Sequence, residues 1–119
     1  MTKAARSVFV FGIYLVVNGV MLFAVPNVLL TLLRLPPTDE PWIRVLGVPM
    51  SVMGAFHVAA ARSGLVPFFR FTLWGRALAV TGVTSLVVLQ LAPPIVAAFG
   101  LVDGAGALWT HAALRREKD

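Results

Sequence analysis

The sequence contains no cysteine and few charged residues. Among its 119 residues, ten are lysine or arginine and five are aspartate or glutamate. The absence of cysteine excludes disulfides, thiolate metal sites and cysteine nucleophiles. Charged residues make up 13% of the chain and hydrophobic residues 59%, whereas soluble domains average about 25% charged residues and roughly 45–50% apolar residues. This composition argues against a soluble enzyme, a disordered segment and a nucleic-acid-binding domain.

Charge is also missing from two long stretches of the chain. Residues 7–33 and 77–102 contain no charged side chain, and each stretch exceeds the ~20 residues that cross a bilayer core. We therefore predict an all-α, polytopic membrane protein that forms a single antiparallel bundle of four transmembrane helices. The predicted spans cover residues 7–25, 42–61, 67–91 and 94–114, and a short interfacial helix covers residues 27–35.

The positions of the basic residues predict the orientation in the membrane. With both termini inside, only Arg34 and Arg44 fall on the outer side, where Asp39 and Glu40 partly offset them. Seven basic residues then fall on the inner side: Lys3, Arg6, Arg62, Arg70, Arg115, Arg116 and Lys118. Because basic residues concentrate on the cytoplasmic side, we predict cytoplasmic termini. The first apolar run continues past Leu22 without a small-residue cleavage site, so we expect a retained helix rather than a signal peptide.

Glycines seven residues apart recur along the chain. Residues 12–20 (GIYLVVNGV) and 75–83 (GRALAVTGV) share five of nine positions. The glycine pairs are Gly12 and Gly19, Gly47 and Gly54, and Gly75 and Gly82. Glycines at this spacing lie on nearly one helix face and allow neighbouring backbones to approach closely. The repeat indicates either that two parallel hairpins arose by duplication or that residues common in membrane helices recur by chance. A homodimer could also form through a glycine face of this kind.

Two charges lie where lipid should exclude them. Arg76 lies about 13 Å and Asp103 about 16 Å from the same membrane face, at 1.5 Å per residue. A charge at that depth costs about 2.5–3.5 kcal/mol, so each should face the bundle and seek a partner. We predict an Arg76–Asp103 pair, with Asn18 at the same depth and able to hydrogen-bond to it. The pair is interpreted either as a structural clamp or as a substrate or proton site.

Three further polar residues lie nearer the membrane faces. His57 and His111 are at matched depth, where imidazoles can bind a metal or a tetrapyrrole, relay protons, or serve as hydrogen-bonded interfacial side chains. No other residues complete a ligand set, so we expect neither a metal nor a cofactor. Arg44, one turn into the second span, is expected to pair with Asp39 or Glu40, or to bind a lipid phosphate.

Motifs that carry catalysis are absent from the sequence. It has no Gly-x-Ser-x-Gly, no His-Glu-x-x-His and no phosphate-binding glycine loop, so no catalytic residue is predicted. Other local features are more informative: Ala24-Val25-Pro26 closing the first helix, Arg44-Val45-Leu46-Gly47 opening the second, Gly75-Arg76 in the third and Asp103 in the last. In these features the chain resembles small four-helix bacterial inner-membrane proteins, including the DoxX-like group. The resemblance implies four antiparallel helices and, in some members, association with redox or quinone-linked complexes.

Three functions remain open from the sequence. The first is an accessory or interaction subunit, or a binder of a lipid-like hydrophobic ligand. The second is an oligomeric transporter or channel subunit that uses Arg76 and Asp103. The third is a quinone-linked redox component that works through His57, His111 and Asp103. In each case the expected partners are membrane lipids and a homodimer or larger membrane complex, and not nucleic acid.

Overall fold

The computed structural model describes the backbone of residues 1–118, and that part of the chain is helical without any β-strand. Asp119 and the side chain of Lys118, which belong to the predicted charged tail, lie outside the described residues. The α-helices are α1 (Lys3–Ala24), α2 (Pro26–Leu32), α3 (Pro41–Ser63), α4 (Val66–Val88) and α5 (Ala97–Lys118), and a 3₁₀ turn (Pro94–Val96) precedes α5.

Four helical segments are long and apolar enough to cross a membrane. They have a mean hydropathy of 1.3 to 2.2 and comprise Lys3–Ala24, Pro41–Ser63, Val66–Val88 and Pro94–Glu117. The predicted all-α class and the four long apolar helices are therefore confirmed. Most of the bulky apolar side chains on these helices are exposed, including Leu78, Leu101 and Leu108 at 71–74%.

Three helices end on a residue in the left-handed conformation. Gly64 follows α3 with φ 64°, and Leu65 donates its backbone N–H to the carbonyl of Ala60 at 3.0 Å. Arg34 (φ 58°) after α2 and Gln90 (φ 60°) after α4 adopt the same conformation. The residue that follows each of them donates its backbone N–H to a carbonyl of the helix at 2.8 Å, from Leu35 to Leu30 and from Leu91 to Leu86. These bonds satisfy carbonyls that the helix leaves without donors. Because of them, α2 and α4 stop at residues 32 and 88, three residues before the predicted limits of 35 and 91.

The chain forms two compact units, Met1–Val8 with Ala60–Asp119, and Phe9–Ala59. The predicted single four-helix bundle stays a prediction. In the first unit, α4 packs along α5. The start of α1 joins this unit: Ala4 donates its N–H to Glu117 Oε1 at 3.0 Å, and Ala5 donates to Thr2 Oγ1 at 3.0 Å. These two bonds cap the N-terminal end of α1.

In the second unit, α1 and α3 meet through their glycines. A Cβ atom added to Gly12 would lie 2.9 Å from the carbonyl oxygen of Gly54, and one added to Gly54 would lie 2.7 Å from Val16 N. Gly19 and Gly47 are equally close, since a Cβ on Gly19 would lie 2.9 Å from Gly47 O. The backbones of the two helices are therefore in direct contact, and the predicted close-packing role of these four glycines is confirmed.

The corresponding glycines of α4 are in a different environment. A Cβ atom added to Gly75 or Gly82 would meet nothing within 4 Å. Both residues are exposed. The repeated sequence of α1 and α4 therefore does not produce a repeated helix contact.

Candidate polar site in the α1–α4–α5 unit

The most deeply buried polar side chains of the first unit form one cluster. Ser7, Arg76 and Thr110 are only 1%, 3% and 0% exposed, respectively. The hydroxyl groups of Ser7 and Thr110 are 2.7 Å apart, and Arg76 donates from Nη1 to Thr110 Oγ1 at 3.0 Å. Thr110 Oγ1 is therefore the shared centre of a network that joins α1, α4 and α5.

Backbone carbonyls hold the two hydroxyl groups in place. Ser7 Oγ donates to Ala4 O at 2.7 Å, and Thr110 Oγ1 donates to Gly106 O at 3.1 Å. Each hydroxyl has one proton, so the Ser7–Thr110 bond shares its donor with one of these carbonyl bonds. The guanidinium group of Arg76 consequently meets an acceptor whose position is set by two helices.

Sequence reasoning identified Arg76 but missed both of its hydroxyl neighbours. A usable signal was present for Thr110, which lies seven residues after Asp103 and hence two turns further along the same face of α5. Ser7 carries no comparable signal. Serine at the start of an apolar span is common, and only the tertiary packing brings it to α5.

Asp103 is half-buried on α5 in the same unit. Arg76 lies on α4, the helix that packs along α5, and its Nη1 atom donates to Thr110. The Arg76–Asp103 pair stays a prediction. Opposite charges within one apolar unit offset part of the cost of burying each other.

The helix surface beside Asp103 is loosely packed. A Cβ atom added to Gly100 would lie 3.8 Å from Val83 Cγ1, and one added to Gly104 would lie 3.8 Å from Val80 Cγ2. These are ordinary van der Waals distances, in contrast to the direct backbone contacts between α1 and α3. The α4–α5 interface could therefore accommodate a methyl group at either glycine without displacing its neighbours.

Asn18 lies in the second unit and forms a side-chain hydrogen bond within its own helix. Its amide Nδ2 donates to the carbonyl oxygen of Tyr14, one turn earlier in α1, at 2.7 Å. The expected hydrogen bond between Asn18 and the Arg76–Asp103 pair stays a prediction.

The two histidines have different surroundings. His57 is buried in the second unit: Nδ1 lies 2.7 Å from the carbonyl oxygen of Met53, and the ring packs against Phe11 with centroids 5.4 Å apart. This arrangement agrees with a hydrogen-bonded structural histidine. His111 is exposed on α5 and lines a cavity of about 350 Å³ together with Arg115 and Arg116. Among residues 1–118, no group of three or more His, Asp or Glu side chains is placed to hold a metal ion.

Arg44 caps the end of α1. Its Nη1 atom donates to the carbonyl oxygens of Phe23 at 2.7 Å and Ala24 at 3.1 Å. Because α1 ends at Ala24, the carbonyls of its last turn have no donor within their own helix. The arginine supplies these hydrogen bonds. The sequence does not predict this role; the expected pairing with Asp39 or Glu40, or with a lipid phosphate, stays a prediction.

The chemistry available at the polar site is hydrogen bonding and charge compensation. A guanidinium group is fixed in the interior, and a half-buried carboxylate can accept hydrogen bonds. Comparison of the chain with protein-family models, curated proteins and solved structures gives no match.

Proposed function

We propose that the chain is an integral membrane protein that binds a neutral, lipid-like ligand at the Arg76–Asp103 site. The four long apolar helices support membrane insertion, because their exposed side chains are large and hydrophobic and suit contact with lipid. The excess of basic residues at one set of helix ends supports cytoplasmic termini. The proposed location is the bacterial inner membrane, as the resemblance to small four-helix proteins implies.

The observation that carries the ligand site is the asymmetry between the two charges. Arg76 is buried and held by Thr110, whereas Asp103 is half-exposed beside glycines that leave space. A ligand can therefore approach the carboxylate while the guanidinium provides the compensating charge. A hydroxyl, amide or similar donor on the ligand would form a charge-assisted hydrogen bond to Asp103.

The charge balance favours a neutral head group. Arg76 and Asp103 together have no net charge, and an ionic ligand would leave an uncompensated charge within the apolar layer, which is costly. The exposed leucines of α4 and α5 provide an apolar surface for a hydrocarbon tail. A lipid, quinol or related amphiphile has both parts. The chain is then a binding or accessory subunit rather than an enzyme.

The test compares the amphiphiles that co-purify with wild type, Asp103→Asn and Asp39→Asn from the same membranes. Asp39 is an exposed loop carboxylate, so its variant is a matched control for loss of one negative charge. We expect wild type and Asp39→Asn to enrich one neutral amphiphile over the bulk lipid. In Asp103→Asn this enrichment should be at least about tenfold lower, which corresponds to a loss of about 1.4 kcal/mol in binding free energy. Equal enrichment by all three proteins, or none by wild type, contradicts the proposal.

Arg76→Gln, alone and combined with Asp103→Asn, separates binding from a purely structural clamp. If both single variants fail to assemble and the double variant recovers, the pair is a clamp and the ligand proposal fails. If all three variants retain the thermal stability of wild type but lose the amphiphile, the binding role is supported.

A proton or ion pathway is the second candidate, and the mid-helix position of the half-exposed Asp103 favours it. Reconstituted vesicles with a pH-sensitive dye inside measure it directly. Proton flux with wild type that disappears with Asp103→Asn would replace ligand binding by transport as the function. No flux above protein-free vesicles would reject this candidate.

A further inference from the structure

A basic cavity lies at the C-terminal end of α5. Its volume is about 350 Å³, and it is lined by His111, Ala112, Arg115 and Arg116. Both arginine side chains are exposed. The cavity lies well away in sequence from Asp103, at the end of the helix and not in its middle.

The acidic residue next to these arginines, Glu117, forms a hydrogen bond with another helix. Glu117 Oε1 accepts the backbone N–H of Ala4 at 3.0 Å, at the start of α1. The positive end of the helix dipole stabilises a carboxylate there. This carboxylate oxygen is therefore engaged at the start of α1, whereas Arg115 and Arg116 line the cavity.

The exposed basic side chains of this unit lie near the start of α1, the start of α4 and the end of α5. A second cavity of about 400 Å³, next to the start of α1, also contains an arginine, and it is lined by Met1, Thr2, Ala5, Ala61, Arg62 and Gly64. A cavity of about 380 Å³ at the other end of α4 has no charged residue in its lining of Val87, Gln90, Leu91, Ala92, Pro93 and Pro94. An anionic partner would consequently be drawn to the α5 end.

We infer that the cavity formed by His111, Arg115 and Arg116 binds the phosphate group of an anionic phospholipid. Guanidinium groups bind phosphate oxygens in bidentate geometry, and two adjacent arginines more than compensate the single negative charge of a phospholipid phosphodiester. Basic residues beside a membrane span attract anionic lipids by about 1 kcal/mol each. This inference rests on the membrane insertion proposed above, but it does not depend on the Arg76–Asp103 site.

The experiment uses the full chain in nanodiscs of equimolar phosphatidylglycerol and phosphatidylcholine, with bound lipids counted by native mass spectrometry. The variants are Arg115→Gln, Arg116→Gln and their combination. Arg34→Gln is the matched control, since Arg34 is an exposed arginine in the loop that follows α2. Glutamine suits its left-handed backbone, as Gln90 adopts the same conformation.

We expect wild type and Arg34→Gln to retain phosphatidylglycerol in preference to phosphatidylcholine. Each single variant should lose about fivefold in affinity for phosphatidylglycerol and the double variant about 25-fold, which corresponds to ~1 kcal/mol per arginine. Inorganic phosphate added in detergent should not displace the lipid.

Three results would overturn the inference. An equal loss with Arg34→Gln would mean non-specific attraction of anionic lipid to basic residues. Displacement by inorganic phosphate would assign the cavity to free phosphate instead. Wild type that inserts into nanodiscs without a preference for phosphatidylglycerol would refute this inference alone, whereas failure to insert at all would refute the proposed membrane function.

Discussion

Alanine at Gly19 and at Gly82 should change stability in opposite directions. The two glycines occupy the same position of the repeated nine-residue sequence, in α1 and α4 respectively. A Cβ on Gly19 would overlap Ser51 Oγ, and would lie 2.6 Å from Ser51 N and 2.9 Å from Gly47 O. A Cβ on Gly82 would meet nothing within 4 Å.

The size of the effect follows from two contributions. Alanine has a helix propensity about 1 kcal/mol better than glycine, and both variants gain this amount. Only Gly19→Ala must also separate two backbones, which cannot rotate away as a side chain can. Overpacking of this kind costs about 1–3 kcal/mol. Gly82→Ala should therefore be up to ~1 kcal/mol more stable than wild type, and Gly19→Ala about 1–3 kcal/mol less stable than Gly82→Ala.

Reversible unfolding in mixed detergent micelles, with increasing SDS and helicity followed by circular dichroism, measures the difference. Because the propensity contribution cancels between the two variants, their difference in unfolding free energy reports the α1–α3 contact alone. Equal unfolding free energies would refute the close contact. A larger loss with Gly82→Ala would show that the exposed face of α4 is packed in the assembled protein.

Two further predictions use the same unfolding assay. Thr110→Val removes the hydroxyl that is hydrogen-bonded to both Ser7 and Arg76 and should cost about 1–2 kcal/mol. Thr81→Val should cost much less, because the exposed Thr81 hydroxyl donates within α4, to Ala77 O at 2.8 Å. Similar losses in the two variants would contradict the network. Arg44→Met removes both bonds to the end of α1 and should cost about 1 kcal/mol, with partial recovery in Arg44→Lys; an unchanged unfolding free energy in Arg44→Met would exclude the cap.

The sequence predicts the helices better than their ends. Long apolar runs bounded by charged or proline-rich segments locate the four long helices, since few other structures accommodate such runs. The ends of α2 and α4 were predicted too late because Arg34 and Gln90 terminate them in a left-handed conformation. Arginine and glutamine rarely adopt this conformation, so their residue type gives no warning. Gly64, which ends α3 in the same way, is the residue type that the rule expects.

The sequence draws attention to the two charged residues of the candidate site but not to its hydroxyl groups, Ser7 and Thr110. Arg76 and Asp103 stand out because a charge within an apolar span is costly. Serine and threonine carry no such cost, since they can bond to carbonyls of their own helix, as Thr81 and Ser85 do. Their partners depend on the rotation of each helix about its axis, and this rotation is set by packing across the whole unit.

One position of the repeat explains why α1 uses its glycines and α4 does not. Arg76 follows Gly75 directly, and the equivalent residue after Gly12 is Ile13. Successive helical residues are about 100° apart around the axis, because there are 3.6 residues per turn. When Arg76 turns toward Thr110, it brings Val80 and Val83, one and two turns later, against Gly104 and Gly100 of α5.

The same rotation turns Gly75 and Gly82 away from α5. Exposing the Arg76 charge to lipid would cost about 2.5–3.5 kcal/mol. A closer backbone contact between α4 and α5 would have to stabilise the protein by more than this amount to favour the other rotation. Ile13 imposes no such cost and is itself 43% exposed, so α1 is free to direct its glycines at α3. Glycine spacing therefore predicts that a close-packing face exists, and the neighbouring residue that must be buried decides whether that face is used.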